Sequence, residues 1–153
     1  MAIEKVRAYF RQMGEEDRII EPEADTATVE LAAKALGCEP ARIAKTLSFL
    51  VDGNPLLVVL AGDVRIDNHK FKQTFHQKGR MIPAEQVEEL IGHAPGGVCP
   101  FAVNEDVPVY LDTSLKAYDI VYPAAGNAHS AVRVTPEELY GFAHAKGWVD
   151  IHK

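Results

Sequence analysis

Cysteine is scarce in these 153 residues: Cys38 and Cys99 stand alone, far apart, with no pairing that suggests a metal or redox site. Two isolated thiols exclude a disulfide scaffold and suit a reducing compartment. Long apolar runs are missing too. The stretch from Met1 to Val6 lacks the core of a signal peptide, and no window approaches the roughly 20 apolar residues of a membrane helix, so a cytoplasmic chain without membrane contact is expected. Nor is there an excess of basic charge. A formal net charge of −6 argues against non-specific coating of nucleic acid, whose affinity comes from neutralising phosphates. Repeats, linkers and low-complexity segments are absent, as are a Walker loop, a G-x-G-x-x-G after a strand, H-E-x-x-H and G-x-S-x-G. The common nucleotide, zinc-protease and serine-hydrolase classes are thereby set aside. His69 and His76 lie two turns apart on one expected helix, not the four residues of a metal pair, so no metal site is expected.

What is present is an ordinary globular composition, 47% hydrophobic and 25% charged, enough for one domain with a real core. Apolar residues at helical spacing predict a helix over Ile3 to Met13 with Gly14 as its stop, a second over Thr28 to Leu36 closed by Gly37, and a short one from Pro40 through Ala44. A short strand is expected at Arg18 to Glu21. Thr46 to Val51 and Leu56 to Ala61 read as strands about a turn at Asp52 to Pro55. The second run, Leu-Leu-Val-Val-Leu-Ala, is apolar on both faces and so central. Asp67 or Asn68 caps a helix to about Gln77, Arg80 to Ile82 is extended, and Pro83 to Ile91 is another helix. Strands follow at Val107 to Leu111, Ile120 to Tyr122 and Ala131 to Val134. Thr135-Pro136-Glu137-Glu138 starts a last helix running to about Lys146, with Gly147 as its stop. The mixture lacks a regular βαβ rhythm, so the expected class is α+β: a single domain with a curved mixed β-sheet flanked by helices.

The densest backbone signal is Leu90 to Phe101, which carries Gly92, Gly96, Gly97, Pro95 and Pro100 around His93 and Cys99. Glycine admits positive φ and close approach, and proline fixes φ, so this is a shaped loop that offers peptide N–H groups near Gly97 and Val98 to an anionic or carbonyl oxygen. A tight connection without a ligand has the same composition. Lys45, expected between a short helix and an apolar strand, suits a point charge aimed into a cleft, or a lysine complementing a helix end. Cys99 fits a small buried loop residue better than a nucleophile, and His129 either orients water or a substrate amine or is solvated. Between Arg65 and Arg80 five basic residues (Arg65, Lys70, Lys72, Lys78 and Arg80) face Asp67 alone, a local basic face or simply a solvated helix.

Taken in order, Ala44-Lys45-Thr46-Leu47, Ala61-Gly62-Asp63 with Arg65 and Asp67, Gly92-His93, Gly96-Gly97-Val98-Cys99-Pro100-Phe101, Val109-Tyr110-Leu111-Asp112 and Ala125-Gly126 resemble the YbaK-type aminoacyl-tRNA deacylases, related to the editing domain of bacterial prolyl-tRNA synthetases. The resemblance covers almost the whole chain. It implies hydrolysis of the ester joining a wrong amino acid to tRNA, often tRNA for proline, without a protein nucleophile. Lys45, Gly96, Gly97, Val98 and His129 take the catalytic positions. Thr46, Cys99, Pro100, Ala125, Gly126 and Asn127 shape the substrate pocket, and Arg65, Lys70, Lys72 and Arg80 meet the tRNA. The implied partners are mischarged tRNA and an aminoacyl-tRNA synthetase, with no cofactor and no metal. Alanine-specific members carry asparagine after the lysine, where this chain has Thr46. Cysteine-type members carry serine before the late glycine, where it has Ala124-Ala125. A different small amino acid is therefore expected. A non-catalytic module binding tRNA or an aminoacyl ligand on the same fold is the alternative.

Overall fold

The computed structural model describes residues 2–153. Its centre is the hairpin of β2 (Ile43–Val51) and β3 (Asn54–Ala61), paired antiparallel from Ala44↔Ala61 to Val51↔Asn54. Asp52 and Gly53 both take positive φ, 52° and 78°, the two-residue turn whose twist suits a hairpin. Parallel pairing then adds β5 (Val109–Asp112) beside β3 and β8 (Gly147–Val149) beside β5.

The other edge of β2 is shared. β4 (Arg80–Met81) pairs antiparallel with Phe49 and Leu50, and β6 (Tyr122–Pro123) pairs parallel with Ile43 and Ala44. Residues 45–47 lie between these two short strands, beyond the Ser48 carbonyl that accepts the Ile82 N–H at 3.2 Å, so the sheet has a gap at that edge. A separate ribbon joins β1 (Ile19–Ile20) to β7 (Ala131–Val132).

β3 explains the two-sided hydrophobic run. Leu57, Val59 and Ala61 belong to the core under α1 (Ala2–Gln12), α4 (Ala84–Ile91) and α5 (Pro136–Phe142), while Leu56, Val58 and Leu60 pack with Phe71 and Phe75 of α3 (Asn68–Phe75). Alternation sends successive side chains to opposite faces, and here both faces are covered. The helix ends follow the sequence signals. Thr28 caps α2 (Val29–Leu36) through Leu31 N, Asp67 caps α3, and Thr135 with Glu138 forms the reciprocal box that starts α5.

Three expectations fail locally. Pro40–Arg42 forms only a 3-10 turn, and Ile43 and Ala44 already belong to β2, because pairing with Ala61 and β6 outweighs a weak helical preference. The last helix ends at Phe142, His144 takes φ 49°, and Gly147 opens a strand instead of stopping a helix. The strands expected from Val107 and Ile120 begin later, at Val109 and Tyr122.

Candidate active site

A cleft of about 320 Å³ opens at the gap in the β2 edge. Its walls include Lys45 and Thr46 from β2, Thr26 and Val29 at the entrance to α2, Gly96 and Val98 from the glycine loop, and Ser130 before β7. The segments meet because side chains tie them. Thr26 Oγ1 accepts the Ser130 N–H at 3.1 Å and donates to the Ser130 carbonyl, Ser130 Oγ donates to Asn127 O, and the Ala125 N–H donates to Ser130 Oγ.

Lys45 is the third residue of β2 and not a helix-end lysine. Its half-buried ammonium donates to the carbonyls of Gly62, at 3.4 Å, and Val64. An ammonium has three donors, so one is left for a ligand in the cleft. Burial lowers its pKa; Asp63 acts against that shift and Arg65 with it. Beside it the Thr46 hydroxyl is buried without a hydrogen-bond partner among the described residues.

In the glycine loop, Gly92 ends α4 at φ 104° and its carbonyl accepts the Lys5 ammonium. Gly97 packs so closely that a Cβ there would sit 2.7 Å from the Gly126 carbonyl oxygen. The expected pair of free donors is reduced to one: the Gly97 N–H turns back to Ala94 O at 3.1 Å, whereas the Val98 N–H has no acceptor among the described residues.

Of the expected site residues, the fold gathers Lys45, Thr46, Gly96 and Val98 at the cleft. Gly97, Ala125, Gly126 and Asn127 stand behind its wall as supports. Three expectations need correction. Cys99 is wholly buried, its Sγ 3.4 Å from His93 Nε2, and burial pushes the thiol up to about 12; it faces the core and not the cleft. Pro100 lines a different cavity, of about 260 Å³, beside Tyr9 and Phe142. His129 is exposed, and its ring Nδ1 lies 3.2 Å from the Ala24 carbonyl, outside the cleft lining. Ser130 and Thr26, which do line it, carry no signal in the sequence, since each is a single small polar residue just outside an expected element.

The basic segment splits. Arg65, Lys72 and Arg80 are exposed, with Arg80 on β4 at one border of the gap and Arg65 next to the residue that holds Lys45. Lys70 is spent internally, on His152 O at 2.9 Å and Asp150 Oδ1 at 3.2 Å.

Comparison with known proteins agrees with this geometry. Residues 23–142 match the family described as the aminoacyl-tRNA editing domain. The protein YwhH of Bacillus subtilis (strain 168) is 46% identical over 154 residues, covering 100% of this chain and 98% of its own. A proline–tRNA ligase of Leuconostoc citreum (strain KM20) is 35% identical over 132 residues, 78% of this chain but only 23% of that enzyme. A solved structure described as a proposed trans-editing enzyme for prolyl-tRNA synthetase superposes with a TM-score of 0.89 at 31% identity, covering 99% of this chain and 97% of the other. With a family match over most of its length and a cleft built on Lys45 and the glycine loop, the chain belongs to the aminoacyl-tRNA editing domain family, an aminoacyl-tRNA deacylase by class.

Proposed function

We propose that the protein acts in trans on mischarged tRNA, hydrolysing the ester between a small amino acid and tRNA for proline. The observation that carries this reading is that Lys45 and Val98, whose N–H has no acceptor among the described residues, line one small cleft of which buried Cys99 is not part. The relatives add support: a proposed Cys-tRNA(Pro)/Cys-tRNA(Cys) deacylase, EbsC of Enterococcus faecalis (strain ATCC 700802 / V583), is 27% identical over 126 residues.

In this mechanism the remaining Lys45 donor holds the negatively charged tRNA terminus. The Val98 N–H receives the ester carbonyl oxygen as charge develops there. The attacking oxygen is that of water, which bonds to the ester carbon and gives up a proton that passes to the departing ribose oxygen. The C–O bond to the ribose breaks, and the ribose oxygen leaves with a proton. No covalent enzyme intermediate forms, and orientation with carbonyl stabilisation lowers the barrier. Arg65, Lys72 and Arg80 steer the acceptor stem toward the gap on an otherwise acidic protein.

The experiment is a deacylation panel: tRNA for proline charged separately with alanine, cysteine, serine and proline, against wild type and Lys45→Ala. Selective hydrolysis that is lost in the variant supports the reading and names the amino acid. Saturable binding of every charged tRNA with no ester loss would identify a binding module instead.

A further inference from the structure

The position of Lys45 depends on two main-chain carbonyls, and these belong to a segment that lies outside the named strands. Residues 62–67 run from β3 to α3, and Gly62 O and Val64 O hold the ammonium. The end of β3 that enters the segment is tied down, because the Ala61 N–H donates to Ser114 Oγ at 3.1 Å. Its far side is held by residues 150–153. Asp67 N–H donates to Ile151 O at 2.7 Å, Lys153 N–H donates to Arg65 O at 2.9 Å, and Ile66 bridges to His152.

Those residues are clamped in turn. The wholly buried carboxylate of Asp112 accepts the N–H groups of Ile151 (2.7 Å) and Ser114 (2.9 Å). His152 Nδ1 sits 2.7 Å from Asp112 Oδ2 and 3.4 Å from Asp150 Oδ1, without the alignment of a full hydrogen bond to either. Lys70 closes the clamp from α3 through His152 O and Asp150 Oδ1. Asp112, Asp150 and His152 bring their donor atoms within 4.8 Å of one another, but the Lys70 ammonium supplies the positive charge at Asp150 and Asp112 already accepts two N–H groups. The cluster is built as a fastening.

We propose that His152 and Lys70 are positioning residues of the editing site, which fix segment 62–67 through residues 150–153 and thereby set the Lys45 ammonium in the cleft. The proposal rests on the catalytic reading of Lys45. It also gives Lys70 a role distinct from that of its basic neighbours, since its charge is directed inward.

The test uses the full chain and the variants His152→Ala, Lys70→Gln and Lys45→Ala, each first checked for folding by thermal melting. One readout needs no substrate: the 15Nζ ammonium resonance of Lys45, recorded in the cold at mildly acid pH and assigned by its loss in Lys45→Ala. Protons bonded to two carbonyls exchange slowly with water, and both clamp variants are expected to broaden that signal. The second readout is steady-state deacylation of whichever charged tRNA of the proline panel is hydrolysed fastest, over a salt series. Each clamp variant is expected to lower kcat by about tenfold, the scale of a displaced catalytic group. A sharp wild-type ammonium signal with unchanged kcat in folded Lys70→Gln overturns the proposal. So does a raised KM with a flatter salt slope while the Lys45 ammonium signal stays as sharp as in wild type, which would make Lys70 a tRNA contact. If Lys45→Ala keeps full activity, the catalytic reading of Lys45 fails, while the ammonium signal still reports separately on the clamp.

Discussion

Lys45 combines two properties that favour ligand charge: partial burial, which weakens its hydration, and two carbonyl partners that leave one donor open. Lys45→Ala is expected to lower deacylation by at least about 100-fold in single-turnover assays with little change in melting temperature, because the removed group is half-exposed and, in the proposed mechanism, anchors the reacting terminus. Cys99 gives the opposite expectation. Its thiol is held up by burial, so Cys99→Ala is expected to retain activity within about twofold and to cost about 1 kcal/mol in denaturant unfolding for the lost packing. Loss of hydrolysis in that folded variant would reinstate a thiol mechanism. The sequence pointed to Lys45 and the glycines because charge at an apolar boundary and clustered glycine are local signals. It read Cys99 as a small buried residue, as found, but set it and Pro100 at the substrate pocket, since which face of a loop turns to the core is decided by segments far away in the chain. Cys99 is buried in the core cluster that includes Phe10 of α1 and Leu139 of α5, and Pro100 borders Tyr9 of α1.

At the scale of the element, the glycine loop is braced from beneath by a buried, neutral imidazole. His93 is wholly buried, with Nε2 2.7 Å from Phe101 O and Nδ1 unpartnered among the described residues. Burial lowers its pKa below the ordinary 6.5; the bond to Phe101 O acts against that shift and Lys5 acts with it. The unfolded chain therefore binds a proton that the folded chain refuses, so this contribution is fully present above pH 6.5 and is lost as pH falls through the lower folded value. Urea unfolding from pH 7 to pH 5 is expected to show stability falling with acid, and His93→Gln is expected to flatten that slope. Gly97 makes the other brace. Gly97→Ala forces a Cβ against Gly126 O and is expected to cost about 1–3 kcal/mol in unfolding while slowing deacylation, whereas Gly96→Ala, whose Cβ meets nothing within 4 Å, is penalised through its positive φ of 88° and not through packing. Most elements were legible in the sequence, because caps such as Thr28, Asp67 and Thr135 are local chemistry. β8 was not, since Gly147 reads as a stop unless one knows that β5 leaves an edge for it.

For the whole molecule, net charge and local charge act in different ways. The chain carries −6 overall, yet Arg65, Lys72 and Arg80 are exposed, Arg80 on β4 at a border of the gap. Deacylation rates at limiting enzyme are expected to fall steeply with salt, and Arg80→Ala is expected to reduce the log–log slope by about 0.7 to 1, one phosphate contact, without altering the single-turnover rate at saturation. An unchanged slope would place the stem elsewhere. Strand order lay beyond the sequence. β2 is bordered by β4, from just ahead of α4, and by β6, from some forty residues later, and no local pattern encodes that meeting.

The gap between those two strands has a consequence for how such a protein can diversify. Lys45 and Thr46 come from the rigid hairpin, whereas Val98, Ala124 and Ser130 come from connecting loops that border it. The lysine and much of the pocket wall are thus carried on different parts of the chain. A lineage can exchange its rim, and with it the accepted side chain, while the β2–β3 frame and its lysine remain in register, so new substrates become reachable by short mutational steps that leave the interior of the protein untouched.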